Sequence, residues 1–567
     1  MVSRPVTGAA AALRDRAIAA ARSGDPVSAG TLFRQAVEAA PKDAAILNSA
    51  ASHFSRQGET AAAIDLLETA VAADPSAGEP VLNLALLLTG AERPGRALEL
   101  LLPREEQLGA SARYWSIRAG AERALRRKGE ALSSFERAVS LDTGNARALE
   151  GRARLALETG LDATEPYRAA LAAAPASLTA QLGYGQALEA AGHAVAAVKI
   201  AEQLVAQLPG WPDALEWLAQ LRWGAGERSD FTDHYRAAAA KAGNAASQVY
   251  SSWCRMLSGV DRFAEAAAVA AAARQALGDP PHFALVEAMH RGEAGDDDRA
   301  EEIFAGLALQ TVDRRVQESR HRLRRRQPDK AEALLASVIE EVPDHISAWA
   351  LRDIGWRLSG DSRHEWLHGQ AGLVGPIDMN LEGDRLASIV RFLDTLHDRS
   401  SMPVGQSVRD GSQTRGGLFD RHEPEVAWIE NAFRAAVEEY RAGLPPRDES
   451  HPLLRHRDDR WSFAGSWSIR VLKGGRHTEH IHPQGLLSSA AYFVVPPAGG
   501  NSDPKAGWLE LGRPPPDLRL DLPPLHSIEP VAGCCALFPS TLYHGTRKFE
   551  AGKRMTVAVD IHLERGA

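Results

Sequence analysis

The chain has 567 residues, of which 44% are apolar and 24% charged; it is too long for one hydrophobic core and ordinary in composition for a globular protein. Its 65 basic and 73 acidic side chains leave a formal charge of −8, which argues against nucleic acid as a partner. Cys254, Cys534 and Cys535 are the only cysteines, so no disulfide framework can form and a reducing compartment is expected. Arg14, Asp15 and Arg16 interrupt the first small residues, and no apolar run of signal-peptide type is present. No segment reaches the ~20 uncharged apolar residues of a membrane span. A cytoplasmic protein without membrane contact is the expectation.

Alanine-rich helical patterns fill the chain to about residue 360. Pro41 and Pro75 stand 34 residues apart, and Gly24, Ala29, Phe33 and Ala36 recur 34 residues on as Gly58, Ala63, Leu67 and Ala70. Phe135 and Ala138 continue the register, and Pro175 and Pro209 repeat the interval. This pattern resembles the tetratricopeptide repeat, in which small residues let two antiparallel helices pack closely. The spacing suggests eight or nine units, degenerate between 240 and 340. Such a unit buries its apolar face only against its neighbours, giving a superhelix whose concave surface takes a peptide, a partner protein or another part of the chain. The arginines between Arg314 and Arg326 read either as a patch for an acidic partner or as a solvated helix face; the solvated face is expected.

Beyond residue 360 alanine gives way to aromatic residues, Pro and Gly. Ile429, Phe433, Val437 and Tyr440 place one amphipathic helix over 424–442. Short β-type runs follow at 467–472, 491–495, 535–538 and 556–563, separated by Pro-rich loops. Short strands with long connections suggest a double-sheet jelly roll, with helices from 380–445 buttressing one sheet.

Within this region His480-Ile481-His482-Pro483 is followed, 62 residues past His482, by His544, and then by Arg554-Met555-Thr556. Read as a strand, the segment puts residues two apart on one face, so His480 and His482 converge while Ile481 points into the wall. Imidazole is a common Fe(II) ligand, and two side chains from one strand leave a face of the metal open. His477-x-Glu479 competes, since it would complete a two-His-one-carboxylate set. In a regular strand that pair faces away from 480/482, and geometry alone leaves the choice open. Arg554 and Thr556 also share a face, and a guanidinium beside a hydroxyl suits a carboxylate end-group.

Segment 403–563 resembles the 2-oxoglutarate- and Fe(II)-dependent dioxygenases, in particular a bacterial and phage group that often carries tetratricopeptide repeats upstream. The resemblance rests on Gln406-Ser407-Val408-Arg409, Gly411-Ser412-Gln413-Thr414, Gly465-Ser466-Trp467-Ser468, His480-Ile481-His482-Pro483, Ser489-Ala490-Ala491-Tyr492-Phe493-Val494, Ala506-Gly507-Trp508-Leu509, Phe538-Pro539-Ser540, His544-Gly545-Thr546 and Arg554-Met555-Thr556. It implies His480, His482 and His544 as ligands of Fe(II). It also implies Arg554 with Thr556 as the clamp for the distal carboxylate of 2-oxoglutarate, with Tyr492 and Gln413 as further pocket residues. His477 becomes a neighbour or substrate contact, and Glu479 an orienter of a ligand histidine. The wider superfamily has Asp or Glu where His482 stands, so this chain departs from the usual ligand set.

The fold implied is an all-α tetratricopeptide-like superhelix (1–360), a helical linker opening the oxygenase domain (361–450) and a double-stranded β-helix, or jelly-roll, core (451–567). The implied reaction couples oxidation of 2-oxoglutarate by O₂, giving succinate and CO₂, to hydroxylation of a C–H bond. By analogy with prolyl hydroxylases, the array points to a protein or peptide substrate. Two alternatives stand beside it: an inactive repeat scaffold, and a three-His iron dioxygenase that does not use 2-oxoglutarate. Neither needs a dicarboxylate clamp.

Overall fold

The structure, a computed structural model, describes residues 4–398, 400, 404–497 and 501–564. Pro403, where the dioxygenase-like segment begins, and residues 565–567 of the expected jelly-roll span lie outside the described residues. From Arg4 to His368 every described element is helical, and the first strand begins at Gly375. The helices come in antiparallel pairs, from Arg4–Arg22 with Pro26–Ala39 to Ile346–Ser359 with Arg363–His368. Each pair turns on one residue of left-handed φ: Gly24, Gly58, Glu92, Arg126, Gly160, Gly192, Gly226, Asp261, Gly295, Arg326 and Gly360. Those eleven turns among the described residues exceed the eight or nine units that the 34-residue spacing suggests. At Glu92, Arg126, Asp261 and Arg326 a side chain occupies a conformation glycine adopts freely and other residues adopt at a cost of about 1–2 kcal/mol, so glycine does not mark those four turns in the sequence. The alanines read as packing positions, Ala29, Ala36, Ala63, Ala70 and Ala138, are fully buried.

The described residues divide into two compact units, 4–187 and 188–564. The first is helical repeat throughout, with a core joining Phe33, Leu67, Val81, Leu98 and Tyr114. The second holds the later repeats together with the β region. Its strands are β1 (Gly375–Asp378), β2 (Val408–Gln413), β3 (Trp461–His477), β4 (Leu487–Val494), β5 (Leu509–Leu511), β6 (His526–Ile528), β7 (Cys534–Pro539), β8 (His544–Thr546) and β9 (Lys553–Leu563). They form a six-stranded sheet in the order β1-β7-β4-β9-β3-β2 and a three-stranded sheet in the order β6-β5-β8. All named pairings are antiparallel.

Helices Gly383–His397 and Pro424–Gly443 cover one face of the larger sheet, as the 3.6-residue spacing predicts. Ile389, Leu393, Ile429, Phe433, Val437 and Tyr440 form one core with Met555, Val557, Val559 and Ile561 of β9. The strand's period of two sends Arg554, Thr556, Ala558 and Asp560 to the opposite face, where they line a cavity.

The arginine run corrects one expectation. Arg320 and Arg324 both hold Asp517, at 2.6 and 2.7 Å, in the loop between β5 and β6. Arg320 also donates to the Tyr543 hydroxyl at 3.1 Å. Arg314 and Arg322 pair with Glu318, and Arg315 with Glu341. Most of the run is therefore not solvated, Arg325 and Arg326 being its exposed members, and its acidic partners lie in the same chain. Leu518 and Tyr543 complete the seam by packing into the repeat core with Val316, Leu323, Leu335 and Leu351. Helical periodicity carries no information about a partner that distant in sequence. Burial alone would raise the Asp517 carboxyl, but the two guanidiniums outweigh it and hold it below the usual carboxylate range. Its contribution to stability is thus present above the unfolded carboxylate pKa of about 3.9 and is lost as pH falls below it. Asp517→Ala leaves two buried guanidiniums unpaired and should cost about 3–5 kcal/mol in denaturant unfolding at neutral pH. A loss under ~1 kcal/mol would show the pair to be solvated after all.

Candidate metal centre

β3 ends at His477, and the next residues leave the ladder: Glu479 lies in a bend and His480 makes a single antiparallel bridge to His544. The bridge is reciprocal, His480 N–H to His544 O at 3.1 Å and His544 N–H to His480 O at 2.9 Å. The backbone thus makes two of the three histidines cross-strand neighbours, and His482 follows two residues later. The expectation of a His-x-His pair on a regular strand is corrected accordingly. Because the chain bends between His477 and His480, His477 and the 480/482 pair line the same cavity, whereas Glu479 is absent from its wall.

The ring centroids of His480 and His544 are 4.2 Å apart, and each lies 5.1 Å from that of His482. The Nδ1 atom of each ring meets an acceptor: Thr478 O at 2.9 Å for His480, Leu542 O at 3.1 Å for His544, and the Asp560 carboxylate for His482. An Nδ1–H that donates there leaves Nε2 as a bare lone pair. The Nε2 atoms of His480 and His482 face one another at 3.2 Å. Two lone pairs at that separation repel unless a cation lies between them. Two imidazoles bound at about 2.1 Å in adjacent positions around an ion would place their nitrogens about 3 Å apart. The three residues therefore fit a divalent transition metal by donor type, tautomer and spacing, with ligand atoms all within 4.8 Å of one another.

Burial pushes the His480 imidazole down to about 3, and burial followed by the neighbouring rings pushes His544 well below its ordinary value. Both stay neutral at physiological pH, the form that ligates. Trp467 stacks on His482 at 5.5 Å, and Phe538 meets His544 edge-on at 4.8 Å. The Ser407 hydroxyl lies 3.3 Å from both His480 Nε2 and His477 Nδ1.

The cavity, of about 600 Å³, also takes in Gln413, Arg554 and Thr556. Arg554 is 2% exposed, and burial lowers its pKa. Its guanidinium lies over the Tyr492 ring at 5.2 Å. Among the described residues, Arg554 Nε, the Tyr492 hydroxyl and His477 Nε2 have no hydrogen-bond partner. A buried cation without a counter-charge is costly, so this end of the cavity suits an anion. Tyr492 is not on the cavity wall and meets the cavity through Arg554; Gln413 is on the wall itself.

Two contributions escaped sequence reasoning. Asp560, rather than Glu479, holds a ligand-like histidine; the signal was available, since 554, 556, 558 and 560 share parity on one strand. The second is a repeat turn: Ser258, Gly259 and Asp261 line the same cavity. Gly405 N–H donates to Gly259 O at 3.1 Å, and Arg409 pairs with Asp261 at 2.7 Å. The approach is close enough that a Cβ on Gly259 would lie 2.6 Å from the Gly405 Cα. Nothing in the local sequence marks that turn as part of a site.

Residues 465–560 match the family model described as "Putative 2OG-Fe(II) oxygenase", and residues 55–120 match that described as "Tetratricopeptide repeat". No curated protein matches the chain. Similar solved structures include TTC0263, a thermophilic TPR protein of Thermus thermophilus, at 23% identity over 32% of this chain and 99% of that one, with a TM-score of 0.28. PilF of Pseudomonas aeruginosa is 18% identical over 38% of this chain and 99% of its own, with a TM-score of 0.32. MamA of Desulfovibrio magneticus is 15% identical over 30% and 96%, with a TM-score of 0.27.

Proposed function

We propose that this protein is a 2-oxoglutarate- and Fe(II)-dependent dioxygenase that hydroxylates a protein or peptide substrate offered along its helical repeats. The observation that carries the reading is the pair of bare Nε2 atoms facing each other at 3.2 Å, with the His544 ring beside them and, in the same cavity, a buried arginine whose Nε has no hydrogen-bond partner and which has no carboxylate paired to it among the described residues. His480, His482 and His544 would hold the iron. Arg554, with Thr556 on the same strand face, would anchor the distal carboxylate of the co-substrate. Bound together, iron and 2-oxoglutarate supply the activation of O₂ and the oxidative decarboxylation that yields succinate and CO₂.

The chain's own part is positioning and exclusion of water. Nδ1 hydrogen bonds fix the tautomer and plane of each ring. Leu509, Ala536, Phe538 and Leu542, buried together behind the site, keep that side dry. The repeat turn at Ser258–Asp261 borders the cavity beside Gln406 and Arg409, which supports the repeats as part of the substrate approach. The same reading takes 451–567 as a double-stranded β-helix with 361–450 as its helical lead-in and 1–360 as the repeat array. Among the described residues no helix is long and apolar enough to cross a membrane; with no disulfide framework, a cytoplasmic setting is part of the proposal.

The test is conversion of 2-oxoglutarate to succinate by purified protein with Fe(II), ascorbate and O₂. Basal succinate formation should depend on added Fe(II), and proteins of the host should gain single oxygen atoms only when this protein is present. No succinate under any metal would leave a repeat scaffold as the better account.

A further inference from the structure

Among the described residues, Asp560 is the one carboxylate hydrogen-bonded to a ring of the three-histidine cluster. Its Oδ1 accepts from His482 Nδ1, on the ring edge opposite Nε2. From there it cannot reach the space between the Nε2 atoms, and it is not one of the grouped ligand atoms. The acceptors behind His480 and His544 are backbone carbonyls, so His482 alone is backed by a charge.

Three neutral imidazoles leave a divalent cation with its full charge, whereas a ligand set containing a carboxylate cancels part of it. We propose that Asp560 is a positioning residue that restores this balance from one residue further out: it holds His482 with Nε2 bare and supplies negative charge to the centre through the ring. The proposal rests on the reading of the cluster as a metal site. The geometry is well braced. Asp560 sits on β9 opposite Gly465 of β3, on the face that also carries Arg554 and Thr556. Trp467 stacks on the His482 ring with an interplanar angle of 21°, leaving the ring little freedom once Nδ1 is held. Asp560 is hydrogen-bonded to the neutral His482 ring and has no Lys or Arg paired to it among the described residues, so its charge is not spent elsewhere. Carboxylates behind a ligating histidine raise its basicity, and their loss typically weakens metal binding 10–100-fold.

The experiment titrates Co(II) into the full-length, metal-free protein by calorimetry and records the ligand-field spectrum of the complex. Asp560→Asn keeps the shape and an amide oxygen that can accept from Nδ1–H, and removes only the charge; Asp560→Ala removes both. Wild type should bind one Co(II) per chain. The Asn variant should bind about tenfold more weakly, and the Ala variant on the order of 10–100-fold more weakly, each with a shifted spectrum. The metal-free Asn variant should melt close to wild type, which a purely structural role would not allow alongside weaker binding. Should the Ala variant fail to fold, the Asn variant carries the test. Wild-type binding with both variants within twofold and spectrally unchanged overturns the role of Asp560 and leaves the metal site standing. A wild type that binds neither Co(II) nor Fe(II) overturns the metal site and this proposal together.

Discussion

Replacing His544 with alanine should abolish metal binding and 2-oxoglutarate consumption together. The ring is 7% exposed, its Nδ1 is held by Leu542 O, and its backbone bridges His480, so the substitution removes a ligand without removing the bridge. Apparent binding of about 10–16 kcal/mol for a four-ligand zinc site corresponds to about 3 kcal/mol per ligand, or at least ~100-fold in affinity. The two remaining histidines come from one short segment and leave most of the ion's coordination open. Metal analysis after dialysis should find the variant empty, with succinate formation at background. Retention of bound iron by the variant would exclude His544 as a ligand.

Arg554→Ala should instead raise the Michaelis constant for 2-oxoglutarate on the order of 10–100-fold, from the loss of charge-assisted contacts of about 1.5–3 kcal/mol. Iron affinity should change little, because Arg554 is not among the clustered ligand atoms. Stability of the metal-free protein should hold or rise, since the guanidinium is buried and lacks a counter-charge in the absence of an anion. An unchanged Michaelis constant would remove the dicarboxylate clamp and return the three-His dioxygenase that needs no 2-oxoglutarate. The His544 and Arg554 variants thus separate the metal from its co-substrate.

The parts of this molecule legible in its sequence are those governed by short periods. Proline, glycine and alanine positions 34 apart marked the repeats, and apolar spacing from Ile429 to Tyr440 marked the helix that covers the sheet. Parity placed Arg554 and Thr556 on one face, and the same parity would have found Asp560 had it been carried two turns of the pleat further. What stayed hidden depends on long-range or irregular structure. Asp517 lies nearly two hundred residues from the arginines that hold it. The bend after His477 turns one histidine and its neighbours into a common cavity that strand geometry would have kept apart. The repeat turn at Gly259 joins the site only because two glycine backbones touch.

The central claim is that three imidazoles and one arginine hold Fe(II) and 2-oxoglutarate in a single cavity. The most direct measurement is an anaerobic titration of 2-oxoglutarate into the Fe(II)-loaded protein, following the visible charge-transfer band of an Fe(II)–2-oxo-acid chelate. The account predicts a saturable band in wild type, none in His544→Ala, and one in Arg554→Ala that needs on the order of 10–100-fold more 2-oxoglutarate. An Fe(II)-loaded wild type that gives no band at any 2-oxoglutarate concentration would contradict it.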